Sequence, residues 1–119
     1  MPFAFADKNV IINIRQSGVT TILDLHGPLM VGESELEFRR NIKDLLDAGA
    51  RRLAINLAGV PEMDSWGLGA LVRHCTQVRK AGGRCIFFAA VPRVMRLLKT
   101  ANLDSVLDLV ATEEEALSR

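Results

Sequence analysis

The apolar pattern of this chain changes period whenever it meets a glycine, proline or asparagine turn, and that alternation allows few folds. Val10, Ile12 and Ile14 alternate with Ile11 and Asn13, then Gln16-Ser17-Gly18 supplies a turn before Val19, Thr21, Leu23 and Leu25 alternate again. The opening therefore reads as a β-hairpin, ended by Gly27-Pro28. The period then lengthens. Phe38, Ile42, Leu45 and Leu46 recur at helical spacing behind a Ser34…Glu37 capping box, and Gly49 offers a left-handed stop, so the spacing predicts a helix over 34–48. Leu53, Ile55 and Leu57 alternate in a short strand between Arg51-Arg52 and Gly59. A second helical stripe of Leu68, Leu71, Val72, Cys75 and Val78 leaves Arg73, His74, Gln77 and Lys80 on the polar side and stops at Gly82-Gly83.

The run Cys85-Ile86-Phe87-Phe88-Ala89 is apolar without alternation, the pattern of a strand covered on both faces, and is the best candidate for the central strand. Pro92 suits the first turn of a helix with Val94, Leu97, Leu98 and Ala101 inward and Asn102 closing it. Residues 106–110 read as a last strand, and a Thr112…Glu115 capping box starts a short helix carrying Ala116 and Leu117. No repeat, low-complexity stretch or linker divides the chain. The order β-β-α-β-α-β-α-β-α implies one α/β domain over residues 1–119, a mixed, mostly parallel sheet with an opening β-hairpin and about four helices.

Composition excludes several functions. A chain of 119 residues, 49% of them hydrophobic, buries enough surface to need neither disulfide nor metal, so Cys75 and Cys85 are expected to be reduced packing residues. Fifteen basic and fourteen acidic residues leave no positive excess for nucleic acid. No apolar run reaches the ~20 residues of a membrane span. Residues 1–8 show no basic region followed by a long apolar core, so a cytoplasmic location without membrane insertion is expected.

Catalytic templates are not met. Met63-Asp64-Ser65-Trp66-Gly67 lacks the first glycine of a nucleophile elbow, and neither His26 nor His74 lies at suitable local spacing to serve Ser65 as a base. Gly67 and Gly69 give only G-x-G, no phosphate-binding loop is present, and His26, His74, Cys75 and Cys85 do not form zinc-ligand pairs. No catalytic residue, metal or cofactor is expected, and the chain reads as a non-enzyme. What remains is the turn. Ser65 falls at or next to a helix N-terminus, where unpaired amides and the macrodipole favour an anion attached to it. Equally, Asp64 or Ser65 could simply cap that helix. Trp66, on the opening turn, reads either as an exposed interface aromatic or as a ring folded onto Met30 or Val31.

In this order of elements the chain resembles the STAS family, the anti-sigma-factor antagonist domains of bacteria. The resemblance is carried by Gly27-Pro28-Leu29, Leu53-Ala54-Ile55-Asn56-Leu57, Met63-Asp64-Ser65-Trp66-Gly67-Leu68-Gly69, Ala81-Gly82-Gly83 and Val91-Pro92-Arg93-Val94, and it covers about residues 9–117. It implies a partner-switching phosphoprotein of bacterial signal transduction and transcription regulation. The unmodified domain binds a serine-kinase-like anti-sigma factor and frees a sigma factor, phosphorylation abolishes that binding, and a phosphatase is a further implied partner. By position, the phosphorylated residue is Ser65, with Asp64, Ser65, Trp66, Gly67, Leu68, Gly69 and Arg73 on the partner-binding surface. Trp66 stands where many members have Ser or Thr, and Met30 where many have Asp. The alternative within the same fold is an accessory STAS subunit of a transporter or signalling complex, with a constitutive interface and no phosphorylation. Arg93, Arg96 and Lys99, Arg39-Arg40, Arg51-Arg52 and His74 are read as solvated surface.

Overall fold

The structure, a computed structural model, describes residues 10–119, the side chains at 33–35 excepted; residues 1–8, on which the expectation about a secretion signal rests, lie outside them. Strands β1 (Ile11–Ser17) and β2 (Thr20–His26) form the expected hairpin, but its two-residue loop is Gly18-Val19 rather than Gln16-Ser17-Gly18. Gly18 has φ +59° while Val19 stays out of the left-handed region, as in a hairpin turn with glycine at its first central position.

Three strand–helix units come next: α1 (Glu33–Asp47), β3 (Arg52–Gly59), α2 (Ser65–Lys80), β4 (Arg84–Phe88) and α3 (Pro92–Thr100), then β5 (Asp108–Val110) and α4 (Glu113–Ser118). The sheet runs β1-β2-β3-β4-β5, antiparallel only at β1·β2. The mixed, mostly parallel architecture is as expected, with three corrections. β3 holds the centre, and β4 lies between β3 and β5, although burial of β4 on both faces is as the sequence indicates. The last strand is shorter than 106–110, because the amides of Val106 and Leu107 bond back to the Leu103 carbonyl (3.0 and 2.8 Å) and continue the 3-10 turn at residues 103–105. α1 starts one residue before Ser34, with Gly32 at the cap position, so Ser34 is already inside the helix.

Alternation divides the core between the sheet faces. Leu23, Leu25, Leu53, Ile55, Leu57, Cys85 and Phe87 meet Phe38 and Ile42 of α1, Leu71 and Cys75 of α2, and Val94 and Leu98 of α3. Ile22, Ala54, Ile86, Phe88 and Val110 point the other way, toward Ala116 of α4. The Arg51-Arg52 pair is not simply solvated. Arg52 donates from Nε to Thr20 (2.9 Å) and from its terminal nitrogen to the Ala116 carbonyl (3.1 Å), tying α4 to the sheet. Cys75 and Cys85 are free, buried thiols, both pushed up in pKa by burial.

Parallel β2, β3 and β4 place the starts of α1, α2 and α3 at one edge of the molecule. α1 and α2 close at the opposite edge, each with a left-handed glycine, Gly49 or Gly82, and a bond from the following amide back to Leu45 or Val78.

Candidate functional site

The site is built where the loops after β2 and β3 meet. Leu29 donates its amide to the Glu62 carbonyl (3.1 Å) and pairs with Met63 in a one-residue parallel bridge, so the loops run side by side over buried Leu29, Val60 and Met63. Asp64 is the N-cap of α2. Its Oδ1 accepts from the Gly67 amide (3.0 Å), and its Oδ2 accepts from the Val31 amide (3.1 Å). One carboxylate thus closes the helix and ties it to the neighbouring loop. Burial pushes the Asp64 carboxyl up, but the amides of Gly67, Val31 and Trp66 together outweigh that and hold it below the usual carboxylate range.

With Asp64 as the cap, Ser65 takes the first helical position and is exposed. Gly67 is buried directly under the β2–α1 loop. A Cβ at Gly67 would run into the Leu29 carbonyl, so only glycine lets the two backbones come this close. Leu68 and Gly69 are half-buried, and Leu68 packs against the core. Trp66 is 55% exposed and forms a shallow groove with Val31, Gly32, Leu36 and Arg39. The ring is largely open to solvent and shares this groove with the Val31 loop. Arg73 is exposed, with its guanidinium lying over Gly69.

His74 is a correction. It is 2% exposed, and its ring meets Phe38 edge-on with centroids 4.5 Å apart. The buried set on α2 is Gly67, Ala70, Leu71, His74, Cys75 and Val78, because this helix packs on α1 as well as on the sheet, which rotates its buried stripe toward His74. Arg93 approaches Glu62 at 3.8 Å between exposed side chains, while Arg96 and Lys99 are exposed as expected. The α1 face of the groove, with Leu36 and Arg39, escapes sequence reasoning because those residues gain meaning only when α1 lies beside α2. Among the described residues no group of His, Cys, Asp and Glu could hold a metal ion, and no helix is long and apolar enough to cross a membrane.

An α/β module with a capped helix start, an exposed serine and an aromatic beside it defines the class. The STAS domain model matches residues 11–116, and the chain belongs to that family. A Thermotoga neapolitana protein assigned as an anti-sigma factor antagonist is 35% identical over 77 residues, 62% of this chain and 66% of that protein, just under two thirds of its length. The crystal structure of a Thermotoga maritima protein given the same assignment has TM-score 0.83 at 24% identity, covering 90% of this chain and 92% of that one. The anti-sigma factor antagonist SpoIIAA in its unphosphorylated form has TM-score 0.75 at 24% identity, covering 92% of this chain and 95% of that one. Bacillus SpoIIAA is also similar in its phosphorylated form, with TM-score 0.69 at 23% identity over 92% of this chain and 98% of that one. At these identities the structural likeness establishes the fold.

Proposed function

We propose that this chain is an anti-sigma-factor antagonist, a non-enzymatic module that binds a serine-kinase-like anti-sigma factor and is switched off by phosphorylation of Ser65, with a phosphatase resetting it. The observation that carries the reading is the division of labour at the start of α2: Asp64 supplies the cap, so an exposed Ser65 is not needed to close the helix. A phosphate there adds roughly −1.5 to −2 charges, and the helix dipole offsets its cost by about 0.3–1 kcal/mol, so the fold tolerates it. A docked partner does not. Beside Asp64 and the apolar Trp66, the same charge in a desolvated interface costs about 2–5 kcal/mol, or about 30- to several thousand-fold in affinity.

The test is capture from native host lysate with ADP or ATP, comparing wild type with Ser65→Asp, combined with phosphopeptide mapping after incubation with ATP. A kinase-like ATP-binding protein held by wild type and lost by Ser65→Asp, with phosphate on Ser65, is the expected result. The same proteins held by both forms, with Ser65 unmodified, would reject the switch and leave a fixed interface of the accessory-subunit kind.

A further inference from the structure

We infer that the free edge of β1 pairs with β1 of a second copy of this chain, antiparallel about a two-fold axis through Ile14, joining two five-stranded sheets into one. The seam uses no residue of the α2 start, so it stands or falls apart from the Ser65 switch.

The sheet ends differently at its two sides. At one, β5 has only three residues, and its Asp108 is held by Arg84 (2.9 Å) and Arg119 (2.8 Å). A short strand flanked by charge does not recruit another strand. At the other, β1 runs seven residues, about 24 Å, in unbroken register with β2, and among the described residues it pairs with no other strand. It carries no proline, lysine or bulge, and its Arg15 is turned back over the sheet to Asp24 and Glu113. Ile11 and Ile14 are left 63% and 48% exposed.

Register decides what this edge offers. The two-residue turn makes Ser17 and Thr20 a hydrogen-bonded pair, and such pairs alternate along an antiparallel ladder, so Arg15, Asn13 and Ile11 also bond to β2. Gln16, Ile14 and Ile12 lie between them and turn their N–H and C=O groups to the free edge. These three positions are symmetric about Ile14. A two-fold axis there opposes Ile14 to its own copy and Ile12 to Gln16, each pair exchanging two N–H···O bonds, and engages the whole strand. On the α4 side of the sheet it sets Asn13 opposite Arg15 and Ile11 opposite Ser17, with no like charges face to face. An axis at Arg15 would instead oppose two arginines whose backbone groups already face β2. The edge is thus complementary to itself, which selects a second copy over an unrelated strand, and a two-fold seam closes after two copies because β5 is guarded. A seam one strand wide falls short of the roughly 1,600 Å² of a standard interface, so the pair forms reversibly and with rising concentration.

The test is sedimentation of the full chain from micromolar to millimolar concentration, with oxidative cross-linking of cysteine variants. Wild type is expected to pass from monomer to dimer mass. Ile14→Lys puts two cations on the axis and should weaken the dimer about tenfold. Val106→Lys, at an apolar position also 48% exposed but away from β1, should leave it unchanged. Oxidised Ile14→Cys should give a covalent dimer, since hydrogen-bonded residues directly opposed have Cα atoms about 5.5 Å apart, within disulfide reach. Ile11→Cys, whose two copies stand about 20 Å apart in this register, should not. Cys75 and Cys85 are buried and add no link. Should Ile14→Lys fail to fold, the two cysteine variants decide. A monomer at every concentration, a dimer indifferent to a folded Ile14→Lys, or equal cross-linking by Ile11→Cys and Ile14→Cys would overturn the proposal.

Discussion

Helices α2 and α4 both begin with a side-chain cap, and they differ in the charge of the turn behind it. In α4, Thr112 accepts from the Glu115 amide at 3.2 Å, and the first turn carries Glu113, Glu114 and Glu115. Its positive end is therefore met by the helix's own carboxylates. In α2, Asp64 accepts from Gly67 at 3.0 Å, and the first turn of Ser65, Trp66 and Gly67 holds no acid. The Asp64 carboxylate also reaches out of its helix to Val31, whereas the Thr112 hydroxyl bonds only Glu115 within its own turn. The start of α4 is thus met by carboxylates of its own first turn, whereas α2 relies on Asp64 alone and leaves the exposed Ser65 without a capping duty.

Gly67→Ala tests this contrast most severely, because it drives the loop off the α2 start. A loss of about 3 kcal/mol is expected in denaturant melts, whereas Gly69→Ala, which meets only the flexible end of Arg73, should be near neutral. Asp64→Ala removes both a cap and the Val31 tether and should cost about 1–2 kcal/mol, against ~1 kcal/mol for Thr112→Ala, where only a cap is lost. The Asp64 carboxyl is held below its unfolded value, so its stabilisation is complete above that value and disappears as pH falls through the folded one. Asp24, hydrogen-bonded by Arg15, shifts in the same direction, so the acid loss should be reduced but not abolished in Asp64→Asn, as melts at neutral and acid pH would show. The smallest effect is expected from Ser65→Asp: the dipole's gain of about 0.3–1 kcal/mol is opposed by the adjacent Asp64 carboxylate, so the melting temperature should stay close to that of wild type.

Features set by neighbours along the chain are legible in the sequence. Gly49, Gly82 and Asn102 close helices with positive φ, and Thr112 caps α4, because each depends on residues within one turn. The position of Ser65 at a helix start is legible to within a residue for the same reason. Hidden from the sequence are the features set by elements far apart in the chain. His74 reads as polar surface until α1 brings Phe38 against it, and Arg52 reads as solvated until α4 offers it carbonyl groups. Gly67 is visible as a turn residue, but its cause, the Leu29 carbonyl, comes from a loop beyond the whole of α1 and β3. Strand order is likewise nonlocal, which is why the apolar run of β4 reads as the central strand although β3 holds that place.

The tie between Arg52 and α4 also bears on how the molecule opens. A helix of six residues cannot persist alone, so α4 stays folded through Ala116, the Arg52 bonds to its last carbonyls and the Glu113–Arg15 ion pair at 2.7 Å. Its amides should therefore exchange with solvent through local release well before the central strands open. Each release uncovers Ile22, Ala54, Ile86 and Phe88 together, a strip of apolar sheet that can adhere to another chain. The smallest α-helix described in the molecule thus covers a strip of apolar sheet at the face turned away from the Trp66 groove.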